Sequence, residues 1–360
     1  MKNVLRNFDK LRRRQMKKTE LFFLKLIGKF TSTEEEILPK EGVKKILILR
    51  NNNRIGNMYF LLPFINSTQD YYKNAKIDVM VKSESQKQVF ENLNLNKIIS
   101  LKFSWKNISH FIFTIKELRK SKYDIVFMPY CSSTDRIISA LVDSRNKIAI
   151  NNEKNNILFK NTIKDDLKSP HAALSSLYIL HSLGYNKKEF NHQMRFTKDE
   201  REFGEMQANV LKGNERLLIS YFRGARGKKI ISDTLWKEII NKTNRASVQT
   251  IQWVEILSPD ISTPLITEHA TFQTKNLRQL GAMLTNVDLF LCADTGPLHL
   301  ADAAGANCVG LFNATSSEYY GCLGKNTINI DDIERIDVNA IFKHFGLGTY
   351  DQVELRTLIS

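Results

Sequence analysis

VDLFLCADTGPLHLADAAGANCVGLF, residues 287–312, is the most informative segment of this chain. It opens with an apolar run rich in β-formers, Val287–Cys292, which the turn residues Asp294-Thr295-Gly296-Pro297 soon follow. From Leu298 to Ala304 the apolar residues recur at helical spacing, and a proline suits the first turn of a helix, where its nitrogen needs no partner. The pattern therefore predicts a strand, a tight turn, a helix and a second strand, the repeating unit of parallel α/β sheets.

The same turn predicts a ligand site. The free N–H groups and the positive dipole end of the helix favour an anion such as a phosphate, and Gly296 lets a ligand approach the backbone. Asp294 adds a carboxylate suited to sugar or ribose hydroxyls, and His299 lies within the first turn or so. The simpler alternative is that Asp294 or Thr295 only caps the helix and that His299 is a hydrogen-bonded core histidine. The residue types outline a nucleotide-sugar site.

Length and composition indicate a folded protein of two domains. The chain has 360 residues, 42% of them hydrophobic, and domains usually span about 100–200 residues. No apolar run reaches the roughly 18 residues of a membrane span, since Leu21–Ile27 is short and contains Lys25, and the basic start lacks the pattern of a signal peptide. The cytoplasm is the expected location.

Neither the cysteines nor the histidines are spaced like metal ligands. The four cysteines form no C-x-x-C pair, and the seven histidines form no H-E-x-x-H pattern. Asp165-Asp166 and Asp331-Asp332 are not D-x-D motifs and are better interpreted as turn or cap residues. We therefore expect reduced, mostly buried thiols and no metal.

Positive charge is concentrated at the start of the chain. The net charge is +15, and residues 1–30 carry ten Lys or Arg residues against Asp9 and Glu20. Apolar residues interleave with them over residues 1–31, which predicts a basic amphipathic helix that lies on an anionic membrane surface. A helix packed on the domain with solvated charges is the alternative. Nucleic acid is disfavoured because the segment carries no recognised binding motif.

Strands and helices alternate along two halves of the chain, which indicates parallel sheets. The first half has expected strands at Lys44–Arg50, Lys76–Val81, Ile98–Ser100, Tyr123–Pro129 and Lys147–Ile150, and helices at Met58–Ile65, Ile108–Ser121 and His171–Leu183. The second half has expected strands at Leu217–Tyr221 and Val248–Trp253 and in segment 287–312, and helices at Asp233–Thr243, Leu277–Leu284 and Asp331–Phe345. Residues 151–168 are predicted to be a loop and residues 186–216 a hinge.

Segment 287–312 resembles the donor-site signature of glycosyltransferase family 9, the bacterial lipopolysaccharide heptosyltransferases. The resemblance lies in Asp-Thr-Gly-Pro-x-His-Leu-Ala, which follows an apolar strand and precedes Gly-x-x-x-Val-x-Leu-Phe. Ile46–Pro63, with its Arg-Ile-Gly, His171–Gly184 and the leucine-rich Asn276–Leu284 resemble further segments of the family in the same order. The resemblance covers roughly Lys44 to Thr327.

The resemblance implies the GT-B architecture, in which two Rossmann-like domains face a central cleft. We expect a basic amphipathic extension and linker at residues 1–42 and an N-terminal, acceptor-binding domain at residues 43–205. A C-terminal domain that binds the nucleotide sugar is expected at residues 206–330. Residues 331–360 would form a helix and tail, for which a return to the N-terminal domain is considered.

The activity that the resemblance implies is an inverting transfer of heptose. The donor would be ADP-L-glycero-β-D-manno-heptose and the acceptor the inner core of lipopolysaccharide, without metal or other cofactor. A Gram-negative, cytoplasmic enzyme, peripheral on the inner face of the inner membrane, is expected. The alternatives are a member with another nucleotide-sugar donor and a non-catalytic protein that binds a nucleotide sugar or glycolipid.

A basic turn is the expected contact for the leaving diphosphate. Gly224-Ala225-Arg226-Gly227-Lys228-Lys229 resembles the family's Gly-Ala-x-x-x-Lys phosphate loop, with Lys228 as the matching lysine and Arg226 and Lys229 as helpers. On the donor side, the resemblance gives Asp294 the sugar hydroxyls and the Thr295 and Gly296 amides the phosphate. His299 and, more weakly, Thr315 would join them, while Glu255 and Asp260 both lie where the family's ribose-binding acid is expected.

The expected catalytic base is replaced in this chain. After Arg-Ile-Gly the family has an aspartate, whereas here Arg54-Ile55-Gly56 is followed by Asn57. An amide does not take up a proton at neutral pH, although its carbonyl can orient the acceptor hydroxyl. Arg54 and Gly56 would contact the acceptor. Asp135, after another strand of the first half, is the candidate replacement base, with a turn residue as the alternative.

Overall fold

The structure is a computed structural model that describes residues 22, 24–26, 34–102, 107–164 and 171–348. Residues 22 and 24–26 are helical, as expected. The rest of the basic extension, Asp165-Asp166 and the tail from residue 349 lie outside the described residues. No helix among the described residues is long and apolar enough to span a bilayer.

The first half of the chain forms a six-stranded parallel sheet in the order β3-β2-β1-β4-β5-β6. Its strands are β1 (Lys45–Leu49), β2 (Lys76–Val81), β3 (Lys97–Ser100), β4 (Tyr123–Met128), β5 (Ser144–Ile150) and β6 (Asn161–Ile163). Its helices are α1 (Gly56–Tyr59), α2 (Leu62–Tyr71), α3 (Glu84–Lys87), α4 (Ile108–Lys120), α5 (Ser133–Leu141), α6 (Glu153–Leu158) and α7 (Leu177–Ser182).

The second half forms another six-stranded parallel sheet, in the order β12-β11-β10-β7-β8-β9. Helix α8 (Lys198–Lys212) precedes it. Its strands are β7 (Leu217–Phe222), β8 (Ile251–Ile256), β9 (Ala270–Phe272), β10 (Leu289–Ala293), β11 (Cys308–Leu311) and β12 (Thr327–Ile330). Its helices are α9 (Asp233–Ala246), α10 (Leu277–Leu284), α11 (Gly296–Ala304), α12 (Ser317–Tyr320) and α13 (Val338–Phe345).

Successive side chains of a strand point to opposite faces of its sheet, so the apolar residues of the central strands lie on both faces. In β1, Ile46 and Ile48 join one buried cluster, while Leu47 and Leu49 join another with residues of α4. Burial on both faces explains why these strands are continuous apolar runs. It also leaves the loops that follow the strands as the place where polar side chains gather.

Several expectations about elements were wrong. The expected helix Met58–Ile65 is divided into α1 and α2, and the helix expected from His171 begins only at Leu177, after a series of turns. Residues 151–168 contain α6 and β6, and α5 was not expected at all. Both α5 and α6 are short and begin with a side-chain cap that opens the helix within a polar stretch, Ser132 and Asn152 respectively.

The expected hinge holds the fifteen-residue helix α8, which Thr197 and Glu200 open with a capping box. This helix packs on α10, and the close approach of Gly204 to the Ala282 carbonyl leaves no room for a Cβ. The boundary expected between residues 205 and 206 thus lies inside a helix of the second half.

The C-terminal helix also differs from expectation. Helix α13 begins at Val338 rather than at Asp331, and Asp337 caps it. Ile341 and Phe342 lie in the same buried cluster as Trp236 of α9. The helix therefore packs on the second half and does not return to the first.

The two halves contact each other through helix α10. The guanidinium of Arg278, 2% exposed, donates to the carbonyls of Gln88 (2.9 Å) and Glu91 (3.2 Å) in the first half. It also pairs with Glu200 of α8 at 2.5 Å. One buried cation therefore joins both halves and the helix that connects them. We refer to this set of contacts as the Arg278 junction.

Candidate active site

The turn between β10 and α11 has the predicted form. Strand β10 ends at Ala293 and helix α11 starts at Gly296, with Pro297 in its first turn. The hydroxyl of Thr295 donates to the Ala293 carbonyl at 3.1 Å, and no side chain caps the helix. The simple capping interpretation of Asp294 and Thr295 is therefore wrong, and the helix start keeps backbone N–H groups that an anion can accept from.

Asp294 lies at the centre of a group of polar side chains. Its carboxylate is 3% exposed and accepts hydrogen bonds from Lys229 Nζ and, at 2.5 Å, from Thr315 Oγ1. His299 Nε2 lies 3.2 Å from the other carboxylate oxygen. Burial acts to raise the pKa of Asp294, but the hydrogen bonds from His299, Lys229 and Thr315 outweigh it and lower the pKa to about 2. This group remains ionised at all physiological pH values.

His299 is buried between the two halves of the chain. Its ring lies edge-on to Phe60 of the first half, with 4.6 Å between the centroids. Nε2 contacts Asp294, whereas the buried Nδ1 has no hydrogen-bond partner among the described residues. His299 is therefore not a core histidine with both ring nitrogens hydrogen-bonded.

Lys229, and not Lys228, is the lysine of the site. Lys229 reaches Asp294, and its Nζ lies 5.6 Å from the centre of the Tyr320 ring. Lys228 is exposed beside it. Arg226 is also directed away from the site, since it pairs with Asp260 at 3.1 Å and both side chains are mostly exposed.

Packing requires the glycine at position 224. A Cβ at this position would lie 2.3 Å from the Phe222 ring and 3.0 Å from Ile261. Only glycine fits without displacing one of these side chains.

The loop after β1 lies directly against the start of α11. A Cβ on Gly56 would meet the His299 ring at 3.3 Å, and one on Gly296 would meet Ile55 Cγ2 at 2.7 Å. Asn57, half-buried in α1, follows these contacts, and Arg54 is exposed at the start of the same turn. The structure thus brings together the predicted acceptor loop and the predicted donor turn.

Asp135 has a structural role in this fold. It is fully buried and accepts backbone hydrogen bonds from Asn51 (2.6 Å) and Ser132 (2.9 Å). Burial raises the pKa of Asp135, and these hydrogen bonds oppose the shift without cancelling it. The carboxylate joins the loops after β1 and β4 and is inaccessible to an acceptor hydroxyl, so its prediction as the replacement base was wrong.

Sequence comparison assigns this arrangement to a family. The model of glycosyltransferase family 9 (heptosyltransferase) matches residues 113–337, more than half of the chain. The chain belongs to glycosyltransferase family 9. It is accordingly a glycosyltransferase, as the resemblance of segment 287–312 implied.

Relatives of this glycosyltransferase include proteins of known structure. It is 23% identical over 283 residues to the lipopolysaccharide core heptosyltransferase OpsX of Haemophilus influenzae. The aligned region covers 76% of this chain and 80% of OpsX. A family 9 glycosyltransferase from Veillonella parvula has a TM-score of 0.70 at 17% identity, over 87% of this chain and 95% of that one. E. coli heptosyltransferase WaaC with ADP has a TM-score of 0.66 at 15% identity, over 84% and 99%. The predicted GT-B fold is confirmed.

Two aromatic side chains of the site had no signal in the sequence. Tyr320, after β11, lies nearly parallel to Phe60 of the first half, with 6.2 Å between the centroids and 16° between the planes. The Tyr320 ring also lies beside the ammonium of Lys229. Neither residue stands in a motif, and only the folded chain brings them together.

Glu255 is a buried structural carboxylate of this glycosyltransferase. It accepts from Arg223 Nε (2.6 Å), the Tyr221 hydroxyl (2.9 Å) and the Leu265 amide (2.6 Å), so both of its oxygens are engaged. Asp260, the other candidate for the ribose, lies on the surface with Arg226. Within residues 34–102, 107–164 and 171–348, no group of His, Cys, Asp or Glu side chains is placed to hold a metal ion.

Proposed function

We propose that this glycosyltransferase moves heptose from ADP-L-glycero-β-D-manno-heptose to the inner core of lipopolysaccharide, with inversion at the anomeric carbon. The observation that carries the proposal is the Asp294 group, in which Lys229, Thr315 and His299 meet one buried carboxylate beside the Ile55–Asn57 loop. OpsX of Haemophilus influenzae, by its name, acts on the lipopolysaccharide core, and WaaC was solved with ADP. Both support this donor and acceptor.

The leaving diphosphate would be held by positive charge at the helix start. The uncapped N–H groups of α11 and the ammonium of Lys229 are directed to one place, and such groups stabilise charge that develops in the transition state. The ammonium of Lys229 pairs with the carboxylate of Asp294. A phosphate that binds beside Lys229 would share this ammonium, while the other carboxylate oxygen keeps its contact with His299.

The acceptor hydroxyl would be oriented by Asn57 rather than deprotonated by it. As the bond to the anomeric carbon forms and the bond to the diphosphate breaks, the hydroxyl proton would pass to solvent. The amide is neutral at every pH of interest, so it can accept or donate a hydrogen bond but cannot remove the proton in an acid–base step. Arg54 and Gly56, in the loop before Asn57, would contact the acceptor, while the Thr295 and Gly296 amides of the facing turn would hold the donor phosphate.

The partner and location follow from the acceptor. We propose that the protein works in the cytoplasm at the inner face of the inner membrane of a Gram-negative bacterium, with residues 1–31 on the anionic surface. The charge of this segment and the match to lipopolysaccharide heptosyltransferases support the proposal. It uses no metal and no nucleic acid.

A transfer assay tests the function. The purified protein is incubated with ADP-heptose and a panel of truncated core acceptors, and the mass of the product lipid is measured. Addition of one heptose to one acceptor is expected, and the anomeric proton coupling of the product reports inversion. Donor binding without transfer to any acceptor would favour a non-catalytic binding protein. This is the specific alternative because Asn57 replaces the family's catalytic aspartate. Failure to bind ADP-heptose would redirect the search to other nucleotide sugars.

A further inference from the structure

The outer face of helix α4 carries three large apolar side chains that are exposed. The helix packs on the first sheet through residues such as Phe111 and Ile115, both buried. On the other side Ile112 is 48% exposed and Phe113 is 62% exposed, and Ile108, one turn earlier, is 38% exposed. Neighbouring large apolar side chains on one exposed face indicate a surface that contacts something other than water.

The described part of the N-terminal segment extends this apolar surface. Leu24 is 1% exposed and belongs to the same buried cluster as Phe111 and Ile115, so the segment is anchored on the side of the sheet that α4 covers. Residues two apart on a helix point to nearly opposite sides. Phe22 and Leu26 accordingly face outward, 66% and 47% exposed.

Exposed lysines accompany these apolar side chains. Lys25, Lys102 and Lys116 are all exposed. The nearby acids are engaged with other cations, since Glu117 pairs with Lys120 at 2.7 Å and Asp143 with Arg119 at 3.2 Å. The surface therefore combines apolar side chains with a net positive charge, the combination that attracts an anionic bilayer.

The position of α4 relates this surface to the cleft. In a parallel sheet, the loops that follow the strands lie at one edge. The side-chain amide of Asn51, in the loop after β1, donates to the carbonyl of Leu101, just after β3, at 2.6 Å. Helix α4 is the next helix after β3, so its first turn lies on the same edge as the acceptor loop.

We propose that this glycosyltransferase docks on an anionic lipid bilayer through the α4 face, composed of Ile108, Ile112, Phe113, Lys116 and Lys102 together with Phe22, Lys25 and Leu26. The proposal rests on the proposed function in that a membrane-anchored acceptor gives the docking its purpose. A second copy of the chain fits less well, because a two-fold contact would place the lysines of both copies against each other.

Vesicle sedimentation of the full-length protein tests the docking. The probe is a set of phosphatidylcholine vesicles with and without phosphatidylglycerol, at low and at high salt. Ile112→Ser with Phe113→Ser is expected to lower binding to the anionic vesicles about tenfold or more, since each side chain loses apolar burial. The difference persists at high salt, where screening weakens the contribution of the basic extension. Lys116→Glu is expected to weaken binding at low salt only.

The control is a matched apolar pair on the second half. Met206 and Val210 of α8 are 54% and 72% exposed, and Met206→Ser with Val210→Ser is expected to leave vesicle binding unchanged. Equal binding of the α4 double variant and the native chain would overturn the proposal, as would an equal loss in the α8 variant. Light scattering that showed a native dimer dissociated by the α4 substitutions would assign the surface to a second copy and also overturn it.

The readout separates this proposal from the proposed function. Vesicle binding needs neither donor nor acceptor, so docking can be established even if no heptose transfer is found. If transfer occurs, the α4 double variant is expected to use a delipidated, water-soluble acceptor at the native rate and a bilayer-embedded acceptor several-fold more slowly. Equal loss on both acceptors would mean that the substitutions damage the enzyme and would contradict docking.

Discussion

At the scale of single residues, Lys229 and Lys228 are neighbours with different roles. Only Lys229 contacts Asp294, and Lys228 is exposed. We expect Lys229→Ala to lower kcat about a hundredfold, because a cation that stabilises the leaving diphosphate acts mainly in the transition state. Lys228→Ala, the matched control, is expected to change kcat less than twofold. The steady-state transfer rate distinguishes them, and equal effects would contradict the assignment.

Asn57 allows a test of the missing base. Asn57→Asp places a carboxylate where the family has one, and a well-positioned general base typically contributes about 10²–10⁴-fold. We expect kcat to rise about tenfold and the variant to lose activity at acid pH as the new carboxylate is protonated. The pH–rate profile is the measurement. A fall in kcat at every pH would show instead that the amide N–H donates to the acceptor.

Asp294 predicts a pH dependence of stability. Its pKa is about 2 in the folded chain against an ordinary value of 3.8. A pKa that is lower in the folded state stabilises the fold above the ordinary value and loses that effect as the pH falls toward the folded value. We expect the free energy of unfolding, measured with urea, to fall by about 2 kcal/mol as the pH is lowered below about 4. Asp294→Asn should flatten this part of the curve of stability against pH. An unchanged acid limb in the variant would contradict it.

The lysine that contacts Asp294 also has a signal in the sequence. Counted from Gly224, the pattern Gly-Ala-x-x-x-Lys places its lysine at Lys229. Asp294, His299 and Thr315 were predicted because they stand in or near one motif. Asp135 was misread because an aspartate after a strand is the same in sequence whether it faces solvent or accepts two buried N–H groups. Phe60 and Tyr320 meet only through the fold.

At the scale of elements, the contact between α1 and α11 is very close. Gly296→Ala would place a Cβ 2.7 Å from Ile55 Cγ2 and force the two helix starts apart. We expect kcat to fall at least tenfold with little change in Tm, because the misplacement affects the site more than the core. Adding Ile55→Ala should restore space and much of the activity.

The control for this contact is Gly42→Ala, whose Cβ would meet only Leu38 at an ordinary 3.6 Å. It is expected to leave the transfer rate unchanged. If the double variant Ile55→Ala with Gly296→Ala is no better than Gly296→Ala alone, steric contact with Ile55 is not the cause.

Strongly apolar elements were predictable, whereas weakly apolar elements that depend on a capping residue were not. Strand Lys76–Val81 has the predicted ends, because its apolar residues Ile77, Val79, Met80 and Val81 are buried on both faces of the sheet. Helix α8 was missed because few of its residues are buried, so its sequence lacks a strong apolar stripe. Its capping box, Thr197 with Glu200, was the signal that could have found it.

At the scale of the whole molecule, the Arg278 junction holds the two halves together. Its guanidinium is 2% exposed and bonded to Glu200 and to carbonyls of the first half. Arg278→Ala should cost about 3–5 kcal/mol, since the partners of a buried cation are left unpaired. Arg119→Ala, which breaks an ion pair that is more than half exposed, should cost less than about 1 kcal/mol. Urea unfolding of both variants checks this, and equal losses would contradict it.

The contact of Ile55 with Gly296 also has a kinetic consequence. We expect donor and nucleotide product to pass beside the Asp294 group, where the two halves already touch, so that each catalytic cycle would include a separation and a return of the halves about the Arg278 junction. Such a motion displaces solvent, and its rate falls as the solvent becomes more viscous. Turnover in glycerol or sucrose of matched viscosity should therefore slow in proportion, which makes solvent friction part of the rate of this enzyme.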